Sequence, residues 1–215
     1  MSYPILYSLK RCPYAMRARM ALQLAEIKCE IREIRLSNKP EHMLEISPKG
    51  TVPILILEDK IIDESYDIVN WVIEKRNIFN ENLRSDQINL TESLIKKFDE
   101  AFKHHLDRYK YATRYENADS EFHRSECLKI LIDLEAIASN GKWIFGENLN
   151  KLDISILPFI RQFRIANPGW FDSLEEITKI KKILNNYLNS EEFKKIMFKY
   201  DEWQLGSKPV YFPAT

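Results

Sequence analysis

The sequence predicts an α/β domain over residues 1–76 joined by a 77–85 linker to an all-helical domain over 86–215. Three observations lead there. Short β-branched runs alternate with helical stripes as far as Arg76. Beyond Ser85, every periodic stretch has helical spacing. Between the first run and the first stripe stands Arg11-Cys12-Pro13-Tyr14-Ala15-Met16-Arg17-Ala18-Arg19, which puts a cysteine at a strand-to-helix junction.

Ile5-Leu6-Tyr7 reads as a buried strand. Pro13 suits the first helical position, where its missing N–H would have no intrahelical partner. Tyr14, Ala18, Ala21, Leu22 and Ala25 give that helix a face to bury. Cys12 therefore sits at a helix N-terminus, whose free N–H groups favour a thiolate, and Arg11 and Arg17 add positive charge nearby. A plain buried cysteine is the bland alternative.

Cys29 to Leu36 reads as a second strand, and Ser37 to Glu41 opens a short helix through Met43 and Leu44. Ser47-Pro48-Lys49-Gly50 is a loop. Thr51 to Leu57 is a third strand with Pro53 near its start, where the lost ladder donor is tolerated. Glu58-Asp59-Lys60 turns the chain into Ile61-Ile62, and Glu64-Ser65 opens a helix through Ile68, Val69, Val72 and Ile73. In the second half, Leu94, Ile95, Phe98, Phe102, Leu106 and Tyr109 form one stripe. Helices are then expected over about 119–138, from Asn150, over 174–188 and over 191–200, with Asn167-Pro168-Gly169 as a break. Asn150 as N-cap with Asp153 three residues on is a capping signal. The tail from Glu202 is non-helical, yet Trp203, Val210, Tyr211 and Phe212 suit it to packing rather than disorder.

Composition narrows the function. Lys+Arg 32 balances Asp+Glu 32, which argues against nucleic acid as a partner. No apolar run approaches the length of a membrane span, and no charged-then-apolar stretch with a small-residue cleavage site is seen, so the expected compartment is the cytoplasm. Cys12, Cys29 and Cys127 form no CxxC pair and fit a reducing environment. His104 and His105 are neighbours that should diverge on a helix, so no metal site is expected.

Taken together, Cys-Pro-Tyr-Ala-x-Arg-x-Arg from Cys12, Leu36-Ser-Asn-Lys-Pro-Glu41, Thr51-Val52-Pro53 and Glu64-Ser65 resemble the cytosolic glutathione transferases. They are most similar to the omega class and the bacterial cysteine-type enzymes. Cys-Pro-Tyr also resembles the glutaredoxin motif, with Ala15 where a second cysteine often stands. The resemblance runs the length of the chain. It is loose in the second half, where Asn150 replaces the family's usual Ser/Thr cap.

The resemblance implies a thioredoxin-like first domain, a helical second domain and glutathione as co-substrate. Cys12 would face the glutathione sulfur, with Tyr14 lining that pocket. Val52 would pair its backbone with the cysteinyl unit, beside a cis Pro53. Glu64 would hold the γ-glutamyl ammonium, Ser65 and its helix N-terminus the γ-glutamyl carboxylate, and Lys39 the glycyl carboxylate. Tyr109, Tyr111, Tyr115, Arg161, Phe163 and Trp170 are candidates for an acceptor pocket, and a homodimer is compatible with the family. The implied activity is thiol transfer to or from a small or protein-bound acceptor through a mixed disulfide on Cys12. Two other readings stay open: conjugation of glutathione to electrophiles with Cys12 a bystander, and a non-catalytic interaction module.

Overall fold

The computed structural model describes residues 3–79 and 83–213. Residues 80–82, inside the expected linker, lie outside the described residues. The chain forms two compact units, Met1–Ile78 with Asn189–Thr215 and, between them in sequence, Phe79–Leu188.

The first unit is built on a five-stranded sheet among the described residues, in the order β4-β3-β1-β2-β5. β1 (Ile5–Ser8) pairs parallel with β2 (Cys29–Glu33) through α1 (Pro13–Leu24), and antiparallel with β3 (Ile54–Ile56). β4 (Ile61–Ile62) follows β3 as a hairpin and leads into α3 (Ser65–Lys75). α2 (Glu41–Ile46) lies between β2 and β3 in sequence. β3 is shorter than the expected 51–57 strand because Pro53 has no N–H to give the ladder.

α1 buries more than one face. Every residue from Ala15 to Gln23 is buried, because α3 and α10 (Glu191–Ile196) both pack against it. Arg17 and Arg19 are caught in this burial at 2% and 0% exposure. Arg19 is held by the Lys10 carbonyl at 2.7 Å and by Glu33 at 3.7 Å, which ties α1 to the loop after β1. Burial nevertheless pushes the Glu33 carboxyl up.

The C-terminal segment corrects the expected boundary, which gave all of 86–215 to the helical half. Residues from Asn189 onward belong to the first unit, and β5 (Tyr211–Phe212) adds an antiparallel strand to the open edge of β2. The physical reason is visible at Phe212, fully buried opposite Cys29, and at Trp203, edge-on to Tyr7 at 5.9 Å.

The second unit is helical. α4 (Ser85–Lys97) runs through a π-helical turn, Phe98–Phe102, into α5 (Lys103–Lys110). α6 (Ser120–Ile137) packs on α5, and α7 (Lys151–Ala166) packs on α4 and α5. α8 (Pro168–Ser173) occupies the expected break, with the Asn167 side chain as its cap. α9 spans Thr178–Asn189, four residues later than expected, and its first N–H groups are met from a distant helix: Glu135 accepts from Lys179 and Ile180, both at 2.9 Å. Asn150 and Asp153 form the full capping box at the start of α7. His104 and His105 do not diverge as expected, since their rings stand edge to face at 5.1 Å. Among the described residues no helix is long and apolar enough to cross a membrane.

Candidate functional site

The site is assembled in the first unit where β1, α1, β3 and α3 begin or end. Cys12 is the N-cap of α1, with extended φ −73° and ψ 124°, and Pro13 opens the helix. The carbonyl of Cys12 receives the Met16 N–H at 2.9 Å, so the backbone of the cysteine is fixed by the helix it starts. Its side chain is half-buried against a cluster of Tyr7, Ile34, Met43, Val52 and Ile54. Sγ makes no capping bond to the first turn and donates instead to the Val52 carbonyl oxygen at 3.6 Å.

Val52 is buried, and the Val52–Pro53 peptide is cis. Gly50, with φ +60°, turns the chain into this segment. A side chain there would also press on its neighbours, since a Cβ would lie 3.1 Å from Lys39 Nζ and from Leu44. The same closeness locates Lys39, an exposed residue whose ammonium lies beside the 50–52 loop.

Glu64 and Ser65 form the start of α3, as N-cap and first helical residue. Ser65 is buried, and its hydroxyl accepts from Arg17 Nε at 2.9 Å. The Arg17 guanidinium lies over the rings of Tyr14 at 5.2 Å and Tyr66 at 5.6 Å. Arg17, expected to bring charge to Cys12, joins the middle of α1 to the start of α3 through its bond to Ser65. A buried guanidinium, a hydroxyl and a helix N-terminus thus converge, a combination suited to a carboxylate.

Lys49 stands in the loop expected over 47–50 and is not singled out by the sequence, yet it bonds Glu64 at 2.7 Å and Asp63 at 3.2 Å. The pair with Glu64 raises the Lys49 pKa, while the Ser47 hydroxyl and then Lys49 lower that of Asp63. Lys49 and Glu64 are both largely exposed, so their bond is open to exchange with a ligand ammonium. A basic residue in a Pro-Lys-Gly loop just ahead of Val-Pro was the available signal.

The structure therefore brings Cys12, Val52 and Pro53 together, and separately joins Glu64 and Ser65 to Lys49 and Arg17. Tyr14 belongs with the Arg17 group, and Lys39 with the loop before Val52. A concavity of about 520 Å³ lies elsewhere on this unit, between Asn38, Pro40 and His42 on one side and Trp203 and Leu205 on the other. Its described lining includes Asn38 and Pro40, the chain neighbours of Lys39, and none of the residues of this constellation. Of the aromatics offered for an acceptor pocket, Phe163 is core, with Tyr109 and Trp170 edge-on to it at 5.5 Å and 5.6 Å.

A cysteine capping the first helix of such a sheet, a cis-proline loop beside it and a helical unit after it define the glutathione transferase fold. Residues 6–81 match the family model for the glutathione S-transferase N-terminal domain. The chain is 30% identical over 168 residues to a probable glutathione S-transferase, parA, of Nicotiana tabacum, covering 75% of this chain and 70% of that protein. A shorter stretch of 49 residues is 45% identical to glutathione S-transferase omega-1 of Mus musculus, covering 23% of this chain and 20% of that one. In structure it is similar to a glutathione transferase family member from Pseudomonas fluorescens solved with two glutathione bound. The TM-score is 0.79 at 16% identity, covering 91% and 92% of the two chains. The chain belongs to the glutathione S-transferase family.

Proposed function

We propose that this protein is a glutathione-dependent thiol transferase in which Cys12 is the nucleophile. The observation that carries the reading is the position of Cys12: N-cap of α1, half-exposed, with Sγ 3.6 Å from the Val52 carbonyl oxygen. A helix N-terminus stabilises negative charge at such a sulfur. The other two cysteines are poor rivals, because burial pushes the thiols of Cys29 and Cys127 far up.

Glutathione presents two carboxylates and one ammonium. In this reading the γ-glutamyl carboxylate meets Ser65, Arg17 and the N-terminus of α3. Its ammonium displaces Lys49 from Glu64. The Val52 backbone takes the cysteinyl unit, Tyr14 lines the sulfur pocket, and Lys39 meets the glycyl carboxylate. The similarity to a family member solved with bound glutathione supports this ligand class.

The reaction is thiol–disulfide exchange in two steps. The Cys12 thiolate attacks the glutathionyl sulfur of a mixed disulfide. The old S–S bond breaks, its electron pair leaves on the acceptor sulfur, and that thiolate takes a proton from water. Cys12 is now disulfide-bonded to glutathione. The thiolate of a second glutathione attacks the glutathionyl sulfur, releases glutathione disulfide and restores the Cys12 thiolate. Ala15 provides no resolving thiol one turn on, so the second glutathione must do this work.

Mass spectrometry of the native protein with oxidised glutathione tests the reading. One adduct is expected, on Cys12, and iodoacetamide should label Cys12 near pH 7 while Cys29 and Cys127 stay unlabelled. Cys12→Ala should abolish deglutathionylation and leave glutathione binding largely intact. Cys12→Ser should lose thiol transfer as well, since a hydroxyl carries no mixed disulfide. Retention of the thiol-transferase rate by Cys12→Ser would falsify the mechanism, and absence of glutathione binding at millimolar concentration would favour the interaction module.

A further inference from the structure

The helical unit holds three of the chain's four histidines in one place. His104 and His105 sit on α5 and His123 on the facing turn of α6, and one ring nitrogen of each lies within 4.8 Å of the other two. The contact between α5 and α6 is what overrides the divergence expected of neighbours on one helix. His105 Nδ1 and His123 Nδ1 are 2.8 Å apart, which requires that one carry a proton and the other a lone pair. His104 Nδ1 receives Arg108 Nη1 at 2.9 Å. The cluster is graded in exposure: His123 is buried, His105 half-buried and His104 open to solvent.

We propose that His104, His105 and His123 form a binding site for a late first-row divalent cation, with zinc as the occupant and water on the remaining position. Imidazole nitrogen is the ligand type such ions prefer, and three of them leave the fourth tetrahedral position open. Two nitrogens bound to one zinc at about 2.0–2.1 Å stand about 3.3 Å apart. The present spacings of 2.8 Å and up to 4.8 Å bracket that value, so small side-chain rotations complete the site. Burial, and after it the neighbouring His104, lower the pKa values of His105 and His123. Zinc between them needs no net proton loss, since the ring protonated at Nδ1 shifts that proton to Nε2.

Charge around the cluster is mixed. Glu126, one turn along α6 from His123, and Asp119 at its start favour a cation. Arg108 opposes one, and it donates to His104 Nδ1. Arg108 has other partners to keep when displaced: the His104 carbonyl at 3.3 Å and the Tyr115 ring at 4.5 Å. The site is therefore one in which Arg108 and the metal compete for His104.

That competition gives a test that a plain histidine cluster would fail. The full chain is titrated with zinc against a chromophoric chelator, and with Co²⁺ while the visible and near-ultraviolet absorption is followed. The expected Kd for zinc is about 10 µM or tighter, with Co²⁺ showing tetrahedral d–d bands and no thiolate charge-transfer band. His104→Ala, an exposed substitution that leaves folding alone, should weaken zinc by about 100-fold or more, beyond the loss seen for outer-shell partners. Arg108→Gln should tighten it, and His42→Ala, outside the cluster, should change nothing. A thiolate band would move the ion to a cysteine and overturn the proposal. So would a Kd weaker than about 1 mM, or equal zinc affinity in wild type, His104→Ala and Arg108→Gln.

Discussion

Arg17 and Lys39 are two cations of the proposed site, and the fold treats them differently. Arg17 is 2% exposed, bonded to Ser65 and laid over two tyrosine rings. Lys39 is exposed beside the Gly50 turn. Substitution should separate these roles. Arg17→Lys loses the directed Nε–H and the planar stacking, and an ammonium in its place is more strongly hydrated than a guanidinium. It should lower stability by about 1–3 kcal/mol, the cost of disturbing one buried charged hydrogen bond, and weaken glutathione as well. Lys39→Ala should weaken glutathione by about 0.5–2 kcal/mol, between an exposed ion pair and a charge-assisted bond, with stability unchanged within about 0.5 kcal/mol. Calorimetry of glutathione binding paired with urea unfolding reads both quantities. Equal stability losses in the two variants would mean that the buried position of Arg17 carries no energetic weight.

At the scale of the element, the start of α7 shows how far local sequence reaches. Asn150 Oδ1 accepts from the Leu152 and Asp153 N–H groups at 2.9 Å and 3.3 Å, and the Asp153 carboxylate accepts from Asn150 and Ile144 at 3.0 Å and 2.9 Å. Asn, Ser and Thr cap with similar effect, so Asn150→Ser should shift stability by about 0.5 kcal/mol or less. Asp153→Ala should cost about 2–4 kcal/mol, because it strands two buried N–H groups. Urea midpoints for the pair decide it; a small loss at Asp153 would show that solvent reaches those groups. This box was legible because all but one of its partners lie within four residues. So was Cys12 at the start of α1, where Pro13 marks the first turn. What escaped was set from afar. The start of α9 is fixed by Glu135 on α6, and the burial of Arg17 by the packing of α3 and α10 on α1. The π turn at Phe98–Phe102 was hidden for another reason. Leu94, Ile95, Phe98 and Phe102 are all buried, and a stripe of that spacing fits a regular helix equally well.

At the scale of the whole chain, the segment after α9 returns to the unit that carries Cys12, and this makes a claim about where its removal is felt. Ile31 donates to the Val210 carbonyl at 2.8 Å, Trp203 donates to the Glu33 carbonyl at 2.8 Å, and Phe212 is fully buried beside Cys29. β2 without β5 is an open edge whose inward side chains lose their cover. Trp203 adds a second anchor, stacked beneath the Arg32 guanidinium at 4.5 Å, and Arg32 in turn donates to the Tyr7 hydroxyl at 2.9 Å. Tyr7 belongs to the cluster against which Cys12 packs, so the tail supports the floor of the proposed site. Phe212→Ala should therefore cost about 3–5 kcal/mol, as expected for a fully buried phenylalanine. Hydrogen exchange locates the damage. Amides of β1 and β2, Ile31 above all, should lose protection in Phe212→Ala and in a chain ending at Tyr200, while α6 and α7 keep theirs. Iodoacetamide labelling of Cys29, slow in the wild type because that thiol is buried, should accelerate in both variants. If protection falls first in α6 and α7 and Cys29 stays unreactive, the tail stabilises the helical unit, and its assignment to the sheet is wrong.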